Sequence, residues 1–93
     1  MSAKFRIFET DEFARHVGLL DRPNQIFIRR KLEKYVYPQL CQEPHFGNNI
    51  KKLHDYSPET LRYRIGDFRL FYSVNDPEKI VNMLTVYYRK DAY

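Results

Sequence analysis

The sequence has one cysteine, no tryptophan and three glycines, and each scarcity closes a class of explanation. A lone Cys41 cannot form an internal disulfide, which excludes a disulfide-stapled secreted scaffold. Glycines this sparse build no phosphate-cradling loop, and neither a nucleophile elbow nor a Cys/His pair is present. His16, His45 and His54 lack partners at metal-ligand spacing, so no metal and no cofactor is expected. No apolar run approaches the ~18 residues of a membrane span, and the first residues hold no signal-peptide core. A soluble cytoplasmic protein without membrane contact is therefore the expectation. Blocks of one charge are missing too: the 16 basic and 12 acidic side chains divide evenly between residues 1–50 and 51–93. The net charge of +4 thus says nothing of a polyanionic partner unless folding brings the cations together.

What remains is a 93-residue chain, 43% hydrophobic, with eight tyrosines and seven phenylalanines. That length predicts a single domain over residues 1–93, and the aromatics are enough to fill most of its one small core. Lys4 to Glu9 reads as a short strand. Thr10 followed by Asp11 and Glu12 is a helix start, and Phe13, Val17 and Leu20 carry that helix to about Leu20. Pro23 and Asn24 open a second helix with Ile28, Leu32, Tyr35 and Val36 on its apolar face, and Pro38 is expected to close it. On its surface Arg29 and Glu33 form a favourable pair, whereas Arg30 and Lys34 repel. Gln39 to Asn49 reads as a loop.

From Leu61 the period changes to that of strands. Leu61 to Ile65, Phe68 to Val74 and Lys79 to about Tyr88 follow one another, joined by turns at Gly66-Asp67 and Asn75 to Glu78. The order β-α-α-β-β-β predicts an α+β fold: a mostly antiparallel sheet with both N-terminal helices packed on one face. Both parities of the last strand are largely apolar, which predicts a central strand covered on both sides.

The register of the hairpin is the informative step. A two-residue turn at Gly66-Asp67 pairs Arg64 with Arg69 and Arg62 with Phe71, and gathers all four on one face. Like charges directly opposite each other destabilise a sheet. A phosphate-binding surface supplies a reason to place them so, because guanidinium groups match phosphate oxygens. Solvated arginines neutralised from elsewhere are the plainer alternative. Arg89 and Tyr93 extend the pattern beyond the last strand, although Tyr93 alone reads as a frayed terminus. Cations interleaved with aromatics suit single-stranded RNA. Lys51 and Lys52 precede the hairpin, where a basic pair is most often a solvated turn. Cys41 reads as a small half-buried hydrophobe.

Three segments, Lys51-Lys52-Leu53, Leu61 to Tyr72 and Val86 to Tyr93, together resemble the RelE/ParE toxin superfamily, and the resemblance covers nearly the whole chain. It implies the RelE-like microbial ribonuclease fold and, in the RNA-cleaving branch, a toxin that cuts mRNA in the ribosomal A site by 2′-hydroxyl attack on the adjacent phosphate. By position it implies catalytic roles for Arg62, Arg64, Arg69, Arg89 and Tyr93, with Lys51, Lys52, Phe71 and Tyr87 contacting RNA. Arg69→Ala is then expected to abolish cutting without unfolding the protein. The implied partners are a cognate antitoxin, the ribosome and its mRNA, with toxin–antitoxin hetero-oligomers left open. The alternative within the superfamily is a ParE-type toxin that inhibits DNA gyrase by protein contact.

The chain departs from the RNA-cleaving pattern. Arg62 and Arg64 stand where lysines are frequent, Tyr88 where histidine is frequent, and no acidic residue matches around Gly47 to Asn49, although Glu43 and His45 lie nearby. The proton acceptor is left open among His54, Glu59 and Tyr93, since arginine is a poor base.

Overall fold

The computed structural model describes residues 4–53 and 59–88. Strand β1 (Arg6–Glu9) leads into α1 (Asp11–Gly18) and then a long second helix. That helix comprises α2 (Arg22–Lys31), a π-helical turn (Leu32–Val36) and α3 (Tyr37–Gln42). Four strands follow: β2 (Ile50–Leu53), β3 (Thr60–Ile65), β4 (Phe68–Asn75) and β5 (Ile80–Tyr88). They form one sheet in the order β1-β5-β4-β3-β2, antiparallel throughout except that β1 runs parallel to β5. The α+β class and mostly antiparallel sheet agree with the expectation, and β2 is a strand the sequence reading lacked. It is four residues long, and Lys51-Lys52 hides its alternation.

Each helix begins where a side chain can satisfy free N–H groups. Thr10 Oγ1 accepts from Phe13 N at 3.2 Å, and Asp21 Oδ1 accepts from Asn24 N at 3.2 Å. Thr10 also donates to Met83 O at 2.7 Å, so one hydroxyl starts α1 and ties it to β5. Pro38 does not end the second helix. The N–H of Tyr37 bonds back to Leu32 O, five residues away, and this widened turn relieves the clash a proline ring makes with the carbonyl four residues earlier. The extra residue also keeps Ile28, Leu32, Val36 and Leu40 on one buried stripe, although a step of four drifts around an ordinary α-helix. Tyr35, expected on that stripe, is exposed.

The stripe, with Phe13 and Val17 of α1, covers Leu61, Tyr63, Ile65, Phe68, Leu70, Tyr72, Val81, Met83 and Val86. Strand β5 reaches this core through a register irregularity opposite Phe71/Tyr72. Met83 pairs with Tyr72 and Thr85 with Phe71, so Leu84 is an extra residue and the inward parity switches from Val81 and Met83 to Val86. That switch, and not cover on both sides, is why both parities of β5 are apolar. Tyr87 faces away from the core and is 37% exposed.

At the end of β1, Glu9 accepts from Arg29 Nη1 at 2.6 Å and from the Tyr37 hydroxyl. Arg29 thus pairs with a strand carboxylate, not with Glu33 as its spacing suggested. Burial alone would raise the Glu9 carboxyl, but the hydrogen bonds from Arg29 and Tyr37 and the Arg29 charge outweigh it and hold the carboxyl below its ordinary value. A carboxyl depressed by folding stabilises the fold above its unfolded pKa, and the contribution fades as pH falls through the folded value. Glu9→Gln is expected to cost about 1 kcal/mol at neutral pH, because Arg29 is nearly half exposed and screened by solvent. The difference from wild type should shrink on acidification, which urea melts at neutral and acid pH will check.

Candidate nucleic-acid interface

The hairpin has the register its sequence predicts. Ile65 pairs with Phe68, Arg64 with Arg69, Tyr63 with Leu70 and Arg62 with Phe71. Gly66 takes φ of +52°, the left-handed region in which glycine is unstrained, and this fixes the two-residue turn. Because the helices fill the other face, Arg62, Arg64, Arg69 and Phe71 lie on the open one. The neighbouring strands extend the set: Lys51 of β2 pairs with Arg62, while Thr85 and Tyr87 of β5 pair with Phe71 and Arg69.

The three arginines are not equivalent. Arg64 is exposed, and Arg62 is half-buried with its Nε shut off from water and lacking a hydrogen-bond partner among the described residues. A buried donor left without a partner costs about 1–3 kcal/mol. Arg69 is only 8% exposed, and its Nη1 donates to Gly66 O at 3.0 Å and Phe68 O at 3.1 Å. It braces the hairpin turn, so replacing it tests fold and chemistry together, contrary to the expectation of a clean probe. Arg62 and Arg64 are the cleaner positions.

Beside them lies a hollow of about 430 Å³ lined by Asn48, Asn49, Ile50, Lys51, Arg62, Arg64 and Gly66. A second hollow of about 400 Å³ shares Asn49, Arg64 and Gly66, and adds Phe27, Lys31, Tyr35 and Tyr63. One is polar and cationic, the other partly aromatic, and Arg64 stands between them. The Lys31 ammonium lies 5.7 Å from the Phe27 ring centre and 4.9 Å from that of Tyr35.

Other expected participants lie elsewhere. Lys52 pairs with Leu61, which alternation places off the arginine face, and forms an ion pair with Glu59 at 3.2 Å. Glu59 is thereby engaged at the far end of β3 from the Arg64–Arg69 rung. Glu43 accepts from His45 N, and His45 Nε2 meets Asp76 Oδ1 at 2.9 Å, which ties this loop to the β4–β5 turn. Burial pushes the Cys41 thiol up, away from nucleophilic chemistry. Arg89, Tyr93 and His54 lie outside the described residues. Within the described residues no group of three His, Cys, Asp or Glu is placed to hold a metal ion, and no helix is long and apolar enough to cross a membrane.

The residue that sequence reasoning missed is His16. Its Nδ1 is hydrogen-bonded to the hydroxyl of buried Thr85, and its ring lies 5.9 Å from that of Tyr87. Tyr87 in turn lies 5.6 Å from Phe71. The three rings form a row alongside the arginines.

Residues 12–93 match the family described as the ParE toxin of type II toxin–antitoxin systems. The chain belongs to the ParE toxin family, within the RelE/ParE superfamily. Its fold is shared by RelE proteins of known structure. A chain of the archaeal RelE–RelB complex from Pyrococcus horikoshii OT3 is 26% identical with a TM-score of 0.68, over 92% of this chain and 96% of that one. The RelBE2 complex of Mycobacterium tuberculosis contains a chain 23% identical with a TM-score of 0.71, over 92% and 99%. The isolated Escherichia coli RelE toxin is 18% identical with a TM-score of 0.63, over 88% and 81%. No curated protein sequence matches. In this toxin the face opposite the helices is open and carries its cations in adjacent strands.

Proposed function

We propose that this toxin is a ribosome-dependent endoribonuclease that cuts mRNA in the A site. The observation that supports the reading is the open sheet face, where Lys51, Arg62, Arg64 and Arg69 adjoin one another beside the rings of Phe71 and Tyr87. Cutting RNA by 2′-hydroxyl attack puts extra negative charge on the phosphorus-bound oxygens. Fixed cations lower that barrier most where water is excluded, as around Arg69. Arg62 and Arg64 hold phosphates, and the rings take unpaired bases by stacking. Arg89 and Tyr93 join this site by resemblance. The toxin acts in the cytoplasm and is masked by a cognate antitoxin, as RelE is paired with RelB in the similar complexes.

The test is a translating extract given purified protein, wild type beside Arg62→Ala, with cuts in a defined mRNA read by primer extension. Ribosome-dependent cuts at discrete positions within codons, lost in the variant, are the expected result. The family match to ParE toxins favours a second reading, inhibition of DNA gyrase by protein contact. Gyrase-dependent DNA breaks with intact mRNA would assign the protein to it.

A further inference from the structure

Among the described residues, the arginine face presents guanidinium groups, the Lys51 ammonium and aromatic rings, none of which is a ready proton acceptor at neutral pH. His16 supplies what that face lacks. It comes from α1, which lies along β5 beyond the end of β1, and both of its partners on β5, Thr85 and Tyr87, point to the arginine side of the sheet. Tyr87 is also the rung partner of Arg69, so imidazole and guanidinium flank one tyrosine.

Nδ1 is the nitrogen tied to the buried Thr85 hydroxyl, while Nε2 is near only exposed Arg15, whose Nη2 lies 3.5 Å away, among the described residues. In the tautomer that donates from Nδ1 to Thr85 Oγ1, Nε2 keeps a lone pair for a substrate. A buried hydroxyl on a central strand thus orients the ring, the arrangement of a base held by a third group. A hollow of about 200 Å³ lined by His16, Leu19, Leu20, Val86, Tyr87 and Tyr88 leaves this edge of β5 open.

We propose that His16 is the general base of the cleavage, a role that rests on the endoribonuclease reading above. Nε2 takes the proton from the ribose 2′-hydroxyl as that oxygen bonds to phosphorus. The bond from phosphorus to the 5′-oxygen breaks, and the leaving oxygen takes a proton from water. The products are a 2′,3′-cyclic phosphate and a 5′-hydroxyl, and the imidazolium returns its proton to solvent. Among the described residues, the charged or titratable groups that meet the ring are Arg15 from α1 and the Tyr87 phenol from β5.

The experiment is single-turnover cutting of a defined mRNA on purified ribosomes across a pH series, for wild type, His16→Gln, Thr85→Val and His16→Ala with added imidazole. Circular dichroism melts report folding of each. Wild type should show a rate that rises with pH along an acidic limb. His16→Gln, whose amide can still donate to Thr85, should be slower by about 10²–10⁴-fold and lose that limb. Imidazole should partly restore His16→Ala, and Thr85→Val should keep the limb with a smaller loss of rate. A folded His16→Gln that cuts within threefold of wild type, with the same limb, overturns the proposal. If His16→Gln does not fold, Thr85→Val and imidazole rescue decide: failure of His16→Ala to respond overturns it. Wild-type protein that cuts no mRNA removes the endoribonuclease reading itself, a result distinct from these.

Discussion

Replacing Arg64 with threonine is expected to weaken mRNA cutting by about 10²–10³-fold, the effect of removing one preorganised charge from a transition state. The same change should leave the protein as stable as wild type or slightly more so. Arg64 faces Arg69 across the β3–β4 ladder, and relief of such a pair returns about 0.2–1 kcal/mol. Threonine also suits a strand. Any gain should shrink at high salt, because Arg64 is exposed and its repulsion is screened. Primer extension in the extract and urea melts at two salt concentrations check the two halves. A loss of cutting accompanied by a large loss of stability would mean that Arg64 holds the sheet together.

The second large effect concerns the fold. Phe13→Ala is expected to cost about 3–5 kcal/mol, as deletion of a buried aromatic ring does. Phe13 is fully buried and, with Val17, anchors α1. A helix of eight residues is marginal by itself and depends on such buried anchors. For a domain whose whole stability is about 5–15 kcal/mol, the urea midpoint should fall steeply. Thr10 and His16 lose their hold on β5 in the same event, so cutting should fail together with the melt.

The hairpin was legible because its register depends on local chemistry: glycine at the turn, then strict alternation on both sides. The pairing of Arg64 with Arg69 followed from that alone. The start of α1 at Thr10 is also local, and Pro23 marked the second helix to within a residue of its start at Arg22, whose cap, Asp21, was not read. What was not legible depends on contacts across the chain. Pro38 looked like a stop because a π-helical turn, which no residue pattern announces, moves the offending carbonyl away. The apolar parities of β5 suggested cover on both faces because one extra residue, Leu84, changes which side faces inward. Burial of Arg69 arises from its bonds to the turn it helps to close. His16 carried one faint signal, its place beside Val17 at the edge of the buried face of α1. Its partner lies 69 positions away in sequence, beyond any motif.

The place of β1 in the sheet has a consequence for how the molecule is made. The first strand pairs with the last one described, and Thr10 reaches Met83 across 73 positions. While the chain is being synthesised, β1 has no strand to pair with until β5 has emerged, and Thr10 no Met83 carbonyl to bond. Contacts this distant in sequence slow folding, since a long loop must close before any of them forms. The arginine face depends on the β4–β5 pairing as well, so the ladder beside Arg69 is complete only at that same late moment. A partly made chain has the cations without the surface that arranges them, so the cutting proposed for that surface is expected only once β5 has emerged.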